Sequence, residues 1–205
     1  MHMKLKGQTL VEMLVVIFII GVSLYAVVTL IIFNVGLQEQ DADQTVAMNL
    51  AREGLEFVQN KRDSNWLAAK AFSYGMLDQA PADCTAVPAW DGSAAVPNPF
   101  FDFTPNTIAT SRVYKVTTGP ALGVYTNKAT TSTTDFYRLL TFTSICQDPN
   151  NPSNKAPADN VCVCPPVGKP TYTQLVGIRA KADIQWFRKG KQKNLTIYGD
   201  FYDWR

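Results

Sequence analysis

Glu12 stands where an acid is least expected. It heads an apolar run, residues 13–33, in which 21 consecutive positions lack Asp, Glu, Lys and Arg. Lys4, Lys6 and Gly7 precede it in the stretch KLKGQTLVE. A carboxylate at the edge of hydrocarbon is costly, though less so than at the bilayer centre, and is biased toward any arrangement that brings a cation to it. Paired with an amine from a neighbouring helix, it would favour one stagger between the two and oppose the others.

Four cysteines carry the other obvious chemistry: Cys84, Cys146, Cys162 and Cys164. They allow three disulfide pairings. Cys162 and Cys164 sit too close in sequence for an unstrained bridge to each other. Cys146 is therefore expected to pair with one of them and Cys84 with the other, the choice being open. A zinc site is the rival, but no CxxC pair is present.

Further along, Arg188, Lys189, Lys191 and Lys193 form a basic cluster. Such a tip is ordinarily a solvated turn, and contact with DNA or another anionic surface is the functional alternative. Residues 148–151 offer oxygen ligands suited to calcium, without the spacing of an EF-hand loop. Residues 126–134 read as a polar loop and a candidate for O-glycosylation. Trp186, Tyr198 and Trp204 are expected to pack in a sheet.

These side chains must be carried by elements of very different character. At 1.5 Å per residue the run 13–33 is ~30 Å long as a helix, about the thickness of a bilayer core. Soluble-domain helices are rarely apolar all round for so long. A cleaved secretory signal fits poorly, because the run is long and Ile32-Phe33-Asn34-Val35-Gly36 offers no small-x-small site. The lysines lie before the run, whereas Glu39, Asp41 and Asp43 follow it and the next basic residue is Arg52. That asymmetry places the N-terminus in the cytoplasm and everything after Val35 outside. Four cysteines suit an exported domain.

Beyond the run, Val46, Ala47, Leu50, Ala51, Gly54, Leu55 and Val58 recur at helical spacing. No proline occurs between Gly7 and Pro81. One continuous helix is expected over residues 9–62, on the order of 80 Å long, with Asp63-Ser64-Asn65 as its stop. Residues 78–106, rich in Pro, Ala, Asp and Asn, read as an irregular loop. Strands are expected at residues 112–117, 136–146, 175–187 and 194–202, with Ile178, Ala180, Ala182, Ile184 and Trp186 in alternation. The last two flank RKGKQK as a hairpin, and the sheet is expected to be antiparallel. The segment between Cys146 and Cys162 reads as a proline- and asparagine-rich loop. The expected class is α+β: a long N-terminal helix, transmembrane then amphipathic, packed on a C-terminal antiparallel β-sheet.

The stretch Lys4-Leu5-Lys6-Gly7-Gln8-Thr9-Leu10-Val11-Glu12, opening a long apolar helix, resembles the N-terminal signal of type IV pilins and type II secretion pseudopilins. The resemblance covers about the first 35 residues; the rest of the chain is similar only in layout, a type IV pilin-like arrangement. It implies a leader at residues 1–7, a transmembrane and assembly helix at 8–35, its amphipathic continuation at 36–62, and an extracytoplasmic, loop-rich sheet domain at 63–205. It further implies that a prepilin peptidase cuts between Gly7 and Gln8 and N-methylates Gln8, although Phe is commoner than Gln at that position. Thr9, Leu10 and Glu12 would belong to the assembly signal, with Glu12 pairing with a neighbouring subunit's terminal amine. The helix-bending proline of many major pilins is absent here.

The implied function is that of a structural subunit, held in membrane lipid before assembly. Its partners are then other pilin or pseudopilin subunits in a cell-surface or periplasmic fibre, and the loops and disulfides suggest a minor subunit. Removing the leader takes the side-chain balance from 19 basic against 17 acidic to 17 against 17. The alternative is an uncut, single-pass anchored exported domain that binds a ligand.

Catalysis finds little support. The only histidine, His2, lies in the implied leader. No Ser-His or Cys-His arrangement remains, nor a His-based metal site or a phosphate-cradling glycine loop, so no enzyme activity and no cofactor are expected.

Overall fold

The computed structural model describes residues 8–77, 84–91, 98–104, 107–117, 123–127, 132–157, 162–166 and 168–203. A single helix, α1, spans Gln8–Leu67. It passes through Asp63-Ser64-Asn65, where a stop was expected. Asn65 does not compete for its own backbone, because its buried amide donates to the carbonyls of Phe72 (3.1 Å) and Tyr74 (2.8 Å). The helix ends at Leu67, and just beyond it Ala69 adopts φ 53°. There the Lys70 N–H donates to Asn65 O and the Ala69 N–H to Trp66 O, the paired bonds of a Schellman cap.

The chain divides into two compact units, Met1–Thr45 and Val46–Arg205. In the first, every large apolar side chain from Leu10 to Leu37 is at least 43 % exposed, so no stripe of the helix is packed. The helix is long and apolar enough to cross a membrane. The Ser23 and Thr29 hydroxyls need no outside partner, since Ser23 donates to Ile19 O and Thr29 to Tyr25 O, both at 2.8 Å.

In the second unit, α1 buries Ala47, Leu50, Ala51, Gly54, Phe57, Val58 and Trp66 on one face. Eight strands follow: β1 (Thr85–Asp91), β2 (Asn98–Asp102), β3 (Arg112–Lys115), β4 (Tyr125–Thr126), β5 (Ser132–Asp148), β6 (Asn151–Pro157), β7 (Gln174–Arg188) and β8 (Lys191–Tyr202). All recorded pairings are antiparallel. The long β5 is the spine. β7 runs along one side of it, from Phe136↔Trp186 to Gln147↔Gln174, and β8 continues beyond β7. The other side of β5 is shared by β3, β1 and β6, with β2 on β1 and β4 on β3.

Two segments expected as loops are strands. The β1–β2 hairpin lies within residues 78–106, and β6 lies between Cys146 and Cys162. Their prolines mask the signal. Pro88 lies beyond Ala86, the last β1 residue paired to β5, and Pro99 sits on β2, at the end of the strand order. Proline is tolerated where no donor is required. Residues 132–134, read as loop, begin β5.

The inner face of the sheet carries the expected alternation, with Ile178, Ala180, Ala182, Ile184 and Trp186 all buried. They join Leu140, Phe142 and Phe201 and the helix face in one core. Small residues set the helix–sheet distance: a Cβ added at Gly54 would lie 3.0 Å from Leu140 Cδ2. Aromatic edges close the end of the core, with Phe57 at 5.0 Å from Phe101 and 5.7 Å from Trp90.

Candidate functional site

Glu12 lies on α1 with its side chain exposed. In a helix, positions 8 and 12 share a face one turn apart, so the carboxylate stands on the same edge as Gln8. Thr9 and Leu10 occupy the same first turns. Gly7, Lys4 and Lys6 lie outside the described residues, as do the side chains of Gln8 and Thr9. The result is an exposed apolar cylinder with one acid near its start, which can bind lipid or other apolar helices over its whole circumference.

The cysteines form two disulfides, Cys84–Cys162 and Cys146–Cys164. They resolve the open choice of partner. Both clamp the short segment carrying Cys162 and Cys164, one to the residue before β1 and the other to β5. Ser144 adds a hydrogen bond to Cys162 O.

The basic tip is a two-residue turn in which Lys189 (φ 47°) and Gly190 (φ 74°) both take left-handed backbone, as type I′ hairpins require. Lys189, Lys191 and Lys193 are exposed. Strand alternation keeps the cluster off the outer face: Arg188, Lys191 and Lys193 share the parity of the inward Trp186, whereas Gln192 and Asn194 belong to the outer face. Of the residues expected to pack in the sheet, Trp186 does. Tyr198 does not, being 62 % exposed on the outer face opposite Lys181. Trp204 lies outside the described residues.

Asp148 is occupied by its own turn, accepting the Asn150 N–H at 2.9 Å. No group of three or more His, Cys, Asp or Glu side chains capable of holding a metal ion occurs among the described residues.

Sequence reasoning missed two features. Arg138, on β5, is fully buried beneath α1. Its Nη1 donates to Leu50 O at 3.2 Å and stands 3.3 Å from Glu53 Oε2, while Nε and Nη2 have no hydrogen-bond partner. Burial pushes the guanidinium below its usual range, and Glu53 partly opposes that shift. A warning was present in the sequence: in FYRLLTF the arginine takes the same strand parity as Phe136, Leu140 and Phe142.

The second missed feature is a cleft of about 330 Å³ on the outer face of the sheet. Asp183, Gln185, Gln192, Asn194 and Thr196 line it, with Ile108 and Leu139 as apolar lining. No single segment of sequence signals it, because its polar residues come from two strands and its apolar lining from a third strand and a 3-10 turn (Ile108–Thr110).

Comparison with protein-family models, with curated proteins and with solved structures gave no match.

Proposed function

We propose that the chain is a prepilin-like structural subunit, cleaved after Gly7 and assembled through α1 into a type IV pilus or pseudopilus. One observation carries this reading. A single helix, Gln8–Leu67, opens on Glu12, exposes apolar side chains around its whole girth, and later presents a packed face to a disulfide-bonded sheet.

A helix of the first kind is suited to wait in lipid and then exchange lipid for other helices. The exchange has little apolar cost, because both environments are equally apolar, so packing and polar pairing decide it. Cleavage supplies the pairing partner. It removes Lys4 and Lys6 and creates a cationic amine at Gln8. Glu12 of one subunit then receives the amine of the next, which fixes the stagger between them. The prepilin peptidase acts from the cytoplasmic side, and the sheet unit stands outside. The resulting fibre is at the cell surface or in the periplasm, with this chain as a minor subunit.

The test is the mature N-terminus of protein recovered from membranes and sheared fibres. Mass spectrometry is expected to find a chain beginning at Gln8, methylated or not. An intact Met1 in both fractions overturns the reading in favour of an uncut, membrane-anchored binding domain.

A further inference from the structure

The outer-face cleft is independent of the assembly helix and of whether the leader is removed. Its rows are set by register. Asp183 stands opposite Thr196, Gln185 opposite Asn194, and Phe187 opposite Gln192. Cross-strand neighbours on one face lie about 5 Å apart, so these side chains form a compact polar ladder. Leu139, paired with Asp183, lies beside the ladder in the same row, and with Ile108 it supplies the apolar lining. At about 330 Å³ the cleft falls at the small end of the ~300–1,000 Å³ range of small-molecule sites.

Its charge is cancelled internally. Asp183 accepts a hydrogen bond from Thr196 Oγ1 at 2.6 Å with one oxygen, and pairs with Lys181 Nζ at 2.8 Å with the other. Gln192 donates to Asn194 Oδ1 at 3.1 Å, which orients both amides. The Gln185 amide takes part in none of these bonds. The cleft thus offers neutral groups that both donate and accept.

Beside it stands an aromatic wall. Phe187, 48 % exposed, meets Tyr137 edge-on at 6.2 Å, and Arg112 donates to the Tyr137 hydroxyl at 2.8 Å.

We infer that this cleft binds a neutral saccharide. A sugar hydroxyl is donor and acceptor at once, as a carboxamide is, and the C–H face of a pyranose suits the exposed Phe187 ring and the Leu139 side chain. A nucleic acid would also find amides and an aromatic ring here. Its phosphates, however, would need unengaged cations on the same face: Lys193 belongs by strand parity to the opposite one, and Arg112, which shares this face, directs its Nε and Nη2 to the Tyr137 hydroxyl. Lys181, the cation of the ladder, is held by Asp183.

The full chain, solubilised in a zwitterionic detergent free of sugar headgroups, is screened on an array of neutral oligosaccharides, and the best probe is titrated by calorimetry. Saturable binding is expected, weakened at least about tenfold by Gln185→Ala and by Asn194→Ala, with the melting temperature unchanged. The double variant Lys189→Ala/Lys193→Ala is expected to bind as the unaltered chain does. The inference is overturned if no neutral oligosaccharide binds. It is equally overturned if binding survives both amide substitutions, or if the double lysine variant loses it. A single-stranded oligonucleotide that binds through Gln185 where no sugar does would assign the cleft to nucleic acid instead.

Discussion

Arg138 and Glu12 are charged groups in apolar settings, and the two are handled differently. Arg138 has its partner within the fold, in Glu53 and Leu50 O, yet the donors on Nε and Nη2 stay unused. A buried charge that loses its counter-ion is left with an uncompensated desolvation cost, whereas an apolar side chain of similar volume removes the cost altogether. Glu53→Ala is therefore expected to lower stability by about 2–3 kcal/mol. That is below the ~3–5 kcal/mol of a fully buried pair, because the Glu53 side chain remains 32 % exposed. Arg138→Met is expected to be neutral or stabilising, and urea denaturation of each variant distinguishes the two outcomes. Among the described residues Glu12 has no such partner, and the exposed helix surface around it is apolar. On the proposed assembly, Glu12→Ala leaves membrane insertion intact. Loss of a pairing worth ~1.4 kcal/mol lowers incorporation about tenfold. Sheared-fibre yield against membrane content measures this, and normal yield would sink the pairing role.

The helix and the sheet meet through small residues. Glycine inside a helix costs about 1 kcal/mol relative to alanine, so Gly54 needs a packing reason, and the approach of Leu140 supplies it. Alanines at 180 and 182 on β7 serve the same closeness. Gly54→Leu is expected to destabilise the fold by about 1–2 kcal/mol, as overpacking outweighs the gain in helix propensity. A thermal melt monitored by circular dichroism reads it out, and a rise in melting temperature would contradict the packing argument. At the other end of the sheet, the Lys189-Gly190 turn fixes the β7–β8 register, and hence the rows that form the outer cleft.

The molecule as a whole combines a stretch suited to lipid with a unit whose packing is reinforced covalently. The Cys84–Cys162 bridge joins residues 78 apart in sequence, and Cys146–Cys164 residues only 18 apart. Constraint of the unfolded chain grows with loop length. On that basis, replacing the first pair by alanine is expected to cost about 4–5 kcal/mol and the second about 3 kcal/mol. Denaturant titration of the two double variants gives the order, and a reversed order would mean that native packing, not loop closure, dominates. Both bridges hold one short segment against β1 and β5, so reduction is expected to loosen that segment first, detectable as early proteolysis near Cys162.

The long helix, its apolar girth and the faces of β5, β7 and β8 follow from local pattern. Charge-free length, 3.6-residue spacing and strict alternation each report an environment that the residues themselves require. The position of Glu12 at the head of the apolar run is likewise a local fact. The proline-bearing β1–β2 hairpin and β6 were illegible, because proline lowers the local strand signal and only their edge positions make it harmless. The choice between cysteine partners, the burial of Arg138 beside Glu53, and the cleft between β7, β8 and Ile108 belong to the assembled fold. Each depends on residues far apart in the chain: the segment at Cys162 and Cys164 against β1 and β5, α1 against β5, and the register of β5 against β7, and no window of sequence contains those pairings.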